Sequence, residues 1–189
     1  MTTVYLIRHA QPDLSYHDDM TRPLSPKGLE DSKLVTSFLA HKGISAIYSS
    51  PYLRAVQTLE DFSLHTGIPI VTMDDFRERK VALGWIEDFD GFVRAQWGDF
   101  DYHLFAGESL RHVQQRTVAA LETVLQAHPQ QKIVVGSHGT AISTILNHYR
   151  PSFGLQDFLH IQSLMPWVVK LLFDGLECRK IETIDLFAR

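Results

Sequence analysis

The sequence predicts an α/β protein, a three-layer α/β/α sandwich with a mostly parallel sheet. Two apolar runs, Thr3–Ile7 and Lys132–Gly136, are typical of strands buried on both faces. Strand and helix patterns alternate along the chain, and such alternation favours parallel strands joined by crossover helices. The chain has 189 residues, 44% hydrophobic and 21% charged, which suits one domain with its own core. We therefore expect residues 1–189 to form a single domain.

The first helix has a clear start signal. Ser25 is the expected N-cap and Pro26 the first helical residue. Leu24 and Leu29 are expected to form a hydrophobic staple. The buried face of this helix should include Leu34, Val35, Phe38 and Leu39.

A second strand and helix follow. Ala46–Ser49 has a strand pattern, and Ser50-Pro51 repeats the cap signal before a helix that runs to about His65. Gly67 should end this helix. Ile68–Val71 is a possible third strand.

The second half of the chain contains one irregular segment and several clear elements. Residues 66–107 are the least periodic part and are expected to be a variable substrate-recognition insertion, with a short helix near its end. The elements expected around it are helices at Gly91–Trp97 and Glu108–Ala127, the strand Lys132–Gly136, a helix to about Tyr149, and a hairpin of Trp167–Phe173 and Arg179–Leu186.

Composition and charge exclude several classes of protein. No apolar run reaches the ~18 residues of a membrane span, and no secretory signal is visible at the start, so we expect a cytoplasmic protein without membrane contacts. A net charge of −4 without a basic block argues against nucleic acid. The single cysteine, Cys178, cannot form an internal disulfide and is expected to be inert.

Polar residues with a common chemistry follow three of the predicted strands: Arg8-His9, Ser49–Arg54 and Ser137–Gly139. Ligands of open α/β sheets bind beyond the carboxyl ends of the strands, so these residues should meet at one edge. Guanidinium groups can clamp phosphoryl oxygens, one imidazole can attack phosphorus, and a second can donate a hydrogen bond. A helix that begins at Gly139 would add N–H donors.

The same residues resemble a known family. Leu6–Ala10 resembles the Arg-His-Gly signature of the histidine phosphatase superfamily, which includes cofactor-dependent phosphoglycerate mutase. Ser49–Thr58 is similar to the second motif of that family, and Gly136–Gly139 to the third. Pro23–Gly28 and Gly107–Ser109 extend the resemblance over nearly the whole chain, which implies a phosphoglycerate mutase-like fold.

The resemblance implies roles for individual residues. His9 would be the nucleophile that becomes phosphorylated, while Arg8, Arg54 and His138 would hold the phosphoryl oxygens. Glu78, within Phe76–Arg79, matches the position of the proton donor of the family.

The remaining assignments are less direct. Glu87 and Asp88 are rival proton donors, and Gln11, Ser15 and Gly139 are further candidates for substrate or phosphate binding. Ala10 replaces the usual glycine of the first motif, and Ser15 stands where mutases usually carry asparagine. The second departure favours a phosphatase over a mutase.

The expected activity is hydrolysis of a small phosphorylated metabolite without a cofactor. Three alternatives remain: a mutase with the same residues, a metal enzyme with His9, His138 and Glu78 as ligands, and a regulatory module that binds phosphoryl groups or dephosphorylates proteins. The oligomeric state stays open.

Several other residues invite interpretation. The ends of predicted helices carry His41, His65 and His128, for which a capping role is the ordinary explanation. Arg77, Arg79 and Lys80 suggest a solvated charge run rather than a second phosphate site. About half of an aromatic set is expected to line a pocket and the rest to be core: Trp85, Phe89, Phe92, Trp97, Tyr102 and Phe105.

Overall fold

The computed structural model describes residues 1–84 and 86–188 and contains six strands: β1 (Thr2–Arg8), β2 (Ala46–Ser49), β3 (Ile70–Thr72), β4 (Lys132–Ser137), β5 (Trp167–Asp174) and β6 (Glu177–Ile184). They form one sheet in the order β3-β2-β4-β1-β5-β6. The first four strands in this order are parallel, while β5 and β6 are antiparallel to their neighbours. The expected α/β class with a mostly parallel sheet is confirmed.

Six helices are seen in the described residues: α1 (Pro26–Leu39), α2 (Leu53–Thr66), α3 (Phe89–Gly98), α4 (Leu110–Ala127), α5 (Gly139–Tyr149) and α6 (Leu155–Ile161). The cap of α1 is as predicted, because the Ser25 hydroxyl accepts a hydrogen bond from the Gly28 N–H. Helix α2 ends at Gly67, whose φ of +73° is readily adopted only by glycine.

The sheet has a core on each face. Alternate residues of a strand point to opposite faces. Val4 and Leu6 of β1 pack on the side of α4 and α5, whereas Tyr5 and Ile7 pack on the side of α1 and α2. The fully buried Phe62 of α2 lies in the second core, and burial of such a side chain contributes about 1.5–3 kcal/mol. The sheet is therefore the middle one of three layers, with α4 and α5 on one face and α1 and α2 on the other.

Two local features differ from the expectations. Ser50 does not cap α2, because the helix begins at Leu53 with Tyr52 as N-cap. Helix α6 was not predicted at all.

Candidate active site

The sheet brings the three predicted strand ends together. Arg8, the last residue of β1, is level with Ser137 of β4, and Ser49 of β2 is level with Gly136. The residues that follow these strands therefore meet at the carboxyl edge of the sheet, as expected for open α/β proteins.

His9 is held in one orientation at this edge. Its Nδ1 lies 2.7 Å from the Ala10 carbonyl oxygen, so Nδ1 carries the proton and donates it. Its Nε2 accepts a hydrogen bond of 3.2 Å from Arg54 Nε. The ring is therefore the tautomer whose Nε2 lone pair is free of a proton. Ala10 has no left-handed φ, so its side chain causes no strain where the family motif has glycine.

Both histidines of the cluster are neutral. Burial, followed by the positive charges of Arg54 and Arg8, lowers the pKa of His9 well below 6.5. Burial, with Arg54 and His9 next in importance, does the same to the pKa of His138. The two rings meet edge to face, with centroids 5.1 Å apart. His138 Nε2 also pairs with the Ser50 hydroxyl at 2.8 Å.

Arg8 is fixed by the end of α6. Its Nη1 lies 2.8–3.1 Å from the carbonyl oxygens of Ile161, Gln162 and Leu164. Its Nε is buried and has no hydrogen-bond partner among the described residues, so it remains a donor for a ligand. A Cβ at Gly139 would lie 3.2 Å from the guanidinium carbon, so a side chain there would require the guanidinium to shift by a few tenths of an ångström. Burial lowers the pKa of Arg8 to about 10, so the side chain stays charged at neutral pH.

Arg54 is paired with a carboxylate that the sequence did not indicate. It is 3% exposed, although it stands in the first turn of α2. Its Nη2 lies 3.1 Å from Oδ1 of Asp19, and the Tyr52 ring lies over its guanidinium at 5.1 Å. Asp19 also pairs with Arg22 at 3.0 Å. Asp19 thus supplies a negative charge to Arg54 in this structure.

Glu78 lies at the N-terminus of α5. Its carboxylate accepts hydrogen bonds from the N–H groups of Thr140 at 3.1 Å and Ala141 at 3.2 Å. Among its rivals, Asp88 caps α3 through the Gly91 N–H at 2.8 Å. Glu87 is exposed and is not among the cavity-lining residues.

A partly buried ion pair between Arg116 and Glu108 holds the segment that carries Glu78. Arg116 donates hydrogen bonds to the carbonyl oxygens of Asp75, Arg77 and Glu78. Glu108 accepts hydrogen bonds from Arg116 Nε at 2.9 Å and from the Lys80 N–H at 2.9 Å. Burial tends to raise the pKa of Glu108, but the bonds from Arg116 and Lys80 outweigh it and lower this pKa. The loop around Glu78 is therefore anchored to α4.

A cavity of about 810 Å³ lies beside this cluster. Its lining includes Arg8, Arg54, Glu78 and Gly139, together with loop residues from 17–22 and 78–84, whereas His9 and His138 are not among its lining residues. Gln11 and Ser15 do not line it: Gln11 bonds to Ser25, and Ser15 to Asp13.

The protein-family model described as histidine phosphatase superfamily (branch 1) matches residues 4–180 of this chain. The chain belongs to the histidine phosphatase superfamily.

Relatives of this histidine phosphatase carry different names. The chain is 28% identical to "Uncharacterized phosphatase PhoE" of Bacillus subtilis, over 77% of this chain and 76% of that protein. It is also 28% identical to "Probable phosphoglycerate mutase GpmB" of Yersinia pestis, over 78% and 74% of the two chains. A mycobacterial glucosyl-3-phosphoglycerate phosphatase superimposes with a TM-score of 0.77 at 19% identity, over 97% and 95% of the chains. This last likeness supports the expected fold.

Two predictions for the histidine phosphatase insertion were wrong or only partly right. Arg79 is not solvated but 5% exposed, and it lines the cavity. Of the aromatic set, Phe89 lines the cavity and Phe92 is buried, whereas Phe105 is 86% exposed. Trp85 lies outside the described residues.

A metal centre is not assembled from the described residues. They contain no group of three or more His, Cys, Asp or Glu side chains able to hold a metal ion, so His9, His138 and Glu78 do not form the alternative ligand set. None of the helices described is long and apolar enough to cross a membrane.

The sequence analysis assigned no individual role to several residues of the cavity or cluster, among them Asp19, Ser50 and Tyr52. Asp19 belongs to a polar stretch that has no periodicity to place it. The only available signal was its charge, close in sequence to the end of β1. Ser50 and Tyr52 lie between β2 and α2, and the cap pattern concealed their contacts with the site.

Proposed function

We propose that this histidine phosphatase hydrolyses small phosphomonoesters through a phosphohistidine formed on His9. The observation that carries the proposal is the Nε2 atom of His9, unprotonated and facing Arg54 in a buried cluster of positive charge. A neutral imidazole has the lone pair that attack on phosphorus requires. The neighbouring cavity, lined by Arg8, Arg54 and Glu78, suits a small ester rather than a flat protein surface.

In the first step, His9 Nε2 attacks phosphorus while the bond to the leaving oxygen breaks. Arg8, Arg54 and His138 hold the other phosphoryl oxygens, whose charge they balance in the transition state. Glu78, in its acid form, gives its proton to the leaving oxygen. The Thr140 and Ala141 N–H groups then hold the resulting carboxylate. Nδ1 of His9 keeps its proton on the Ala10 carbonyl oxygen throughout.

In the second step, water attacks phosphorus and gives a proton to the Glu78 carboxylate. The bond between phosphorus and Nε2 breaks, so inorganic phosphate leaves and His9 and Glu78 return to their starting states. The positive charges around His9 make the neutral imidazole a good leaving group. These residues complete the cycle without a cofactor.

Labelling tests the proposal directly. A phosphoramidate on His9 is labile in acid and stable in base, so protein mixed with a ³²P-labelled ester should keep its label after a base quench and lose it after an acid quench. His9→Ala should carry no label and release no phosphate. His65→Ala, outside the site, is the matched control. An acid-stable label would place the phosphoryl group on another residue type.

A second measurement separates a phosphatase from a mutase. When a phosphosugar is the donor, a phosphatase delivers the label to inorganic phosphate. A mutase returns it to another hydroxyl of the sugar. Predominant return of label would replace hydrolysis by the mutase alternative, which uses the same residues.

A further inference from the structure

Arg79 is a buried cation on the cavity wall that the proposed mechanism does not use. It directly follows Glu78, is 5% exposed and lines the cavity. The side chain of Lys80, next in sequence, is exposed. Arg79 therefore differs from the solvated charges around it.

The orientation of the Arg79 guanidinium is fixed from two directions. Its Nη1 donates to Oε1 of Gln96, which is fully buried and is itself held by the carbonyl oxygens of Tyr102 at 3.0 Å and Glu108 at 2.8 Å. The ring of Phe92 lies 5.0 Å from the guanidinium carbon. Contacts of this kind stabilise a cation but do not neutralise it.

The charge of Arg79 has no direct counter-ion. No carboxylate oxygen lies within 4.0 Å of its nitrogens in residues 1–84 and 86–188. Its Nε is buried without a hydrogen-bond partner, and Nη2 makes no hydrogen bond within the same residues. Burial lowers the pKa of Arg79, and the nearby charges of Glu78 and Glu108 offset this effect only in part. A ligand anion in direct contact with the guanidinium would offset the remaining cost of burying its charge.

We propose that Arg79 binds a carboxylate of the substrate, so that the substrate is a small phosphomonoester that also carries a carboxylate. Nε and Nη2 of a guanidinium present two parallel donors, which match the two oxygens of a carboxylate. Because Glu78 protonates the leaving oxygen, its neighbour Arg79 recognises the leaving-group side of the ester. This inference rests on the proposed phosphatase function.

Binding of non-hydrolysable phosphonates tests recognition separately from turnover. The ligands are phosphonoacetate, 3-phosphonopropionate and 4-phosphonobutyrate, each compared by calorimetry with the alkylphosphonate of the same chain length. The series varies the distance between the two anionic groups. The wild-type protein should prefer the carboxylate ligand at one chain length at least, by about tenfold or more, as expected for a charge-assisted pair.

Variants assign that preference to Arg79. Arg79→Gln should lower affinity for the preferred ligand by about 10- to 100-fold and change affinity for its alkyl partner much less. Arg79→Lys, which keeps the charge but not the parallel donors, should retain part of the preference. Arg94→Gln removes a positive charge from an exposed position of α3 and is the matched control.

Each outcome decides the inference. A wild-type protein without carboxylate preference, an unchanged preference in Arg79→Gln, or an equal loss for both ligand series would overturn it. If Arg79→Gln does not fold, the comparison of wild type with Arg79→Lys decides. Normal labelling of His9 without carboxylate preference refutes only the role of Arg79, whereas absence of labelling refutes the proposed function.

Discussion

Lowering the pH from about 7 to about 5.5 should destabilise the fold by about 2.5 kcal/mol through His9 and His138 alone. Both rings are neutral in the folded protein, since burial and the nearby arginines lower their pKa values well below 6.5. In the unfolded chain each histidine has a pKa of about 6.5. Below that pH the unfolded state binds two protons that the folded state does not. The stability is therefore complete above the unfolded pKa and is lost as the pH falls below it.

The magnitude follows from linkage. For one such histidine, protonation of the unfolded state lowers the free energy of unfolding by about 0.2 kcal/mol at pH 7 and about 1.4 kcal/mol at pH 5.5. The difference before rounding is about 1.25 kcal/mol, and two histidines double it to about 2.5 kcal/mol. The result requires only that both folded-state pKa values lie below this pH range.

Urea unfolding at several pH values measures the effect. His9→Gln should reduce the loss of stability over this range by about 1.3 kcal/mol relative to wild type, because one of the two groups is removed. His138→Gln should do the same, and His148→Gln, at an exposed position of α5, is the matched control. Parallel curves for wild type and both site variants would show that the two histidines titrate alike in the folded and unfolded states, and would refute the neutral cluster.

Glu78→Gln should slow hydrolysis of alkyl phosphates by ~10²- to 10⁴-fold but slow the burst with p-nitrophenyl phosphate much less, because nitrophenolate needs no proton; equal slowing of both would remove the residue from the acid role. Activity should survive EDTA, since arginines balance the phosphoryl charge, and a loss that a divalent metal restores would contradict this. Asp19→Asn should tighten inhibition by inorganic phosphate by about two- to fivefold, because the carboxylate no longer competes for Arg54, and weaker inhibition would oppose that reading. Gly28→Ala should lower the free energy of unfolding by about 1–3 kcal/mol in urea, since its Cβ would overlap the Gln11 carbonyl oxygen, whereas Gly98→Ala, with open space around it, is the control.

The sequence predicted those parts of the fold that local chemistry determines. Apolar runs identified β1 and β4, and the cap at Ser25 located α1 because that hydroxyl accepts a hydrogen bond from the Gly28 N–H within the same helix turn, even though it also donates to Gln11. The same pattern at Ser50 was misleading, since its hydroxyl pairs with His138, which follows a strand distant in sequence. Helix α6 has only seven residues, too few for periodicity to reveal it.

The site residues likewise fall into two groups: those whose positions local patterns predict and those that only tertiary contacts determine. Strand ends aligned by the sheet bring Arg8, His9 and His138 together, and the strands that precede them have recognisable patterns. The insertion around Arg79 has no comparable pattern from which to predict which of its side chains meet. Burial of Arg79 depends on Gln96, 17 positions away, and neither residue type by itself indicates a buried pair. Tertiary contacts of this kind cannot be deduced from charge alone.

The attachment of Arg8 to the end of α6 constrains how this protein could be redesigned. Helix α6 contributes Phe158 and Ile161 to the cavity lining, which makes it an attractive target for exchange with a related helix to alter substrate preference. The carbonyl oxygens of residues 161, 162 and 164 also accept hydrogen bonds from Arg8 and so fix the position of its guanidinium. A graft that shifted this helix end by one residue would withdraw those acceptors and displace the guanidinium. Libraries built on α6 should therefore keep the backbone of 161–164 and vary only the side chains before it.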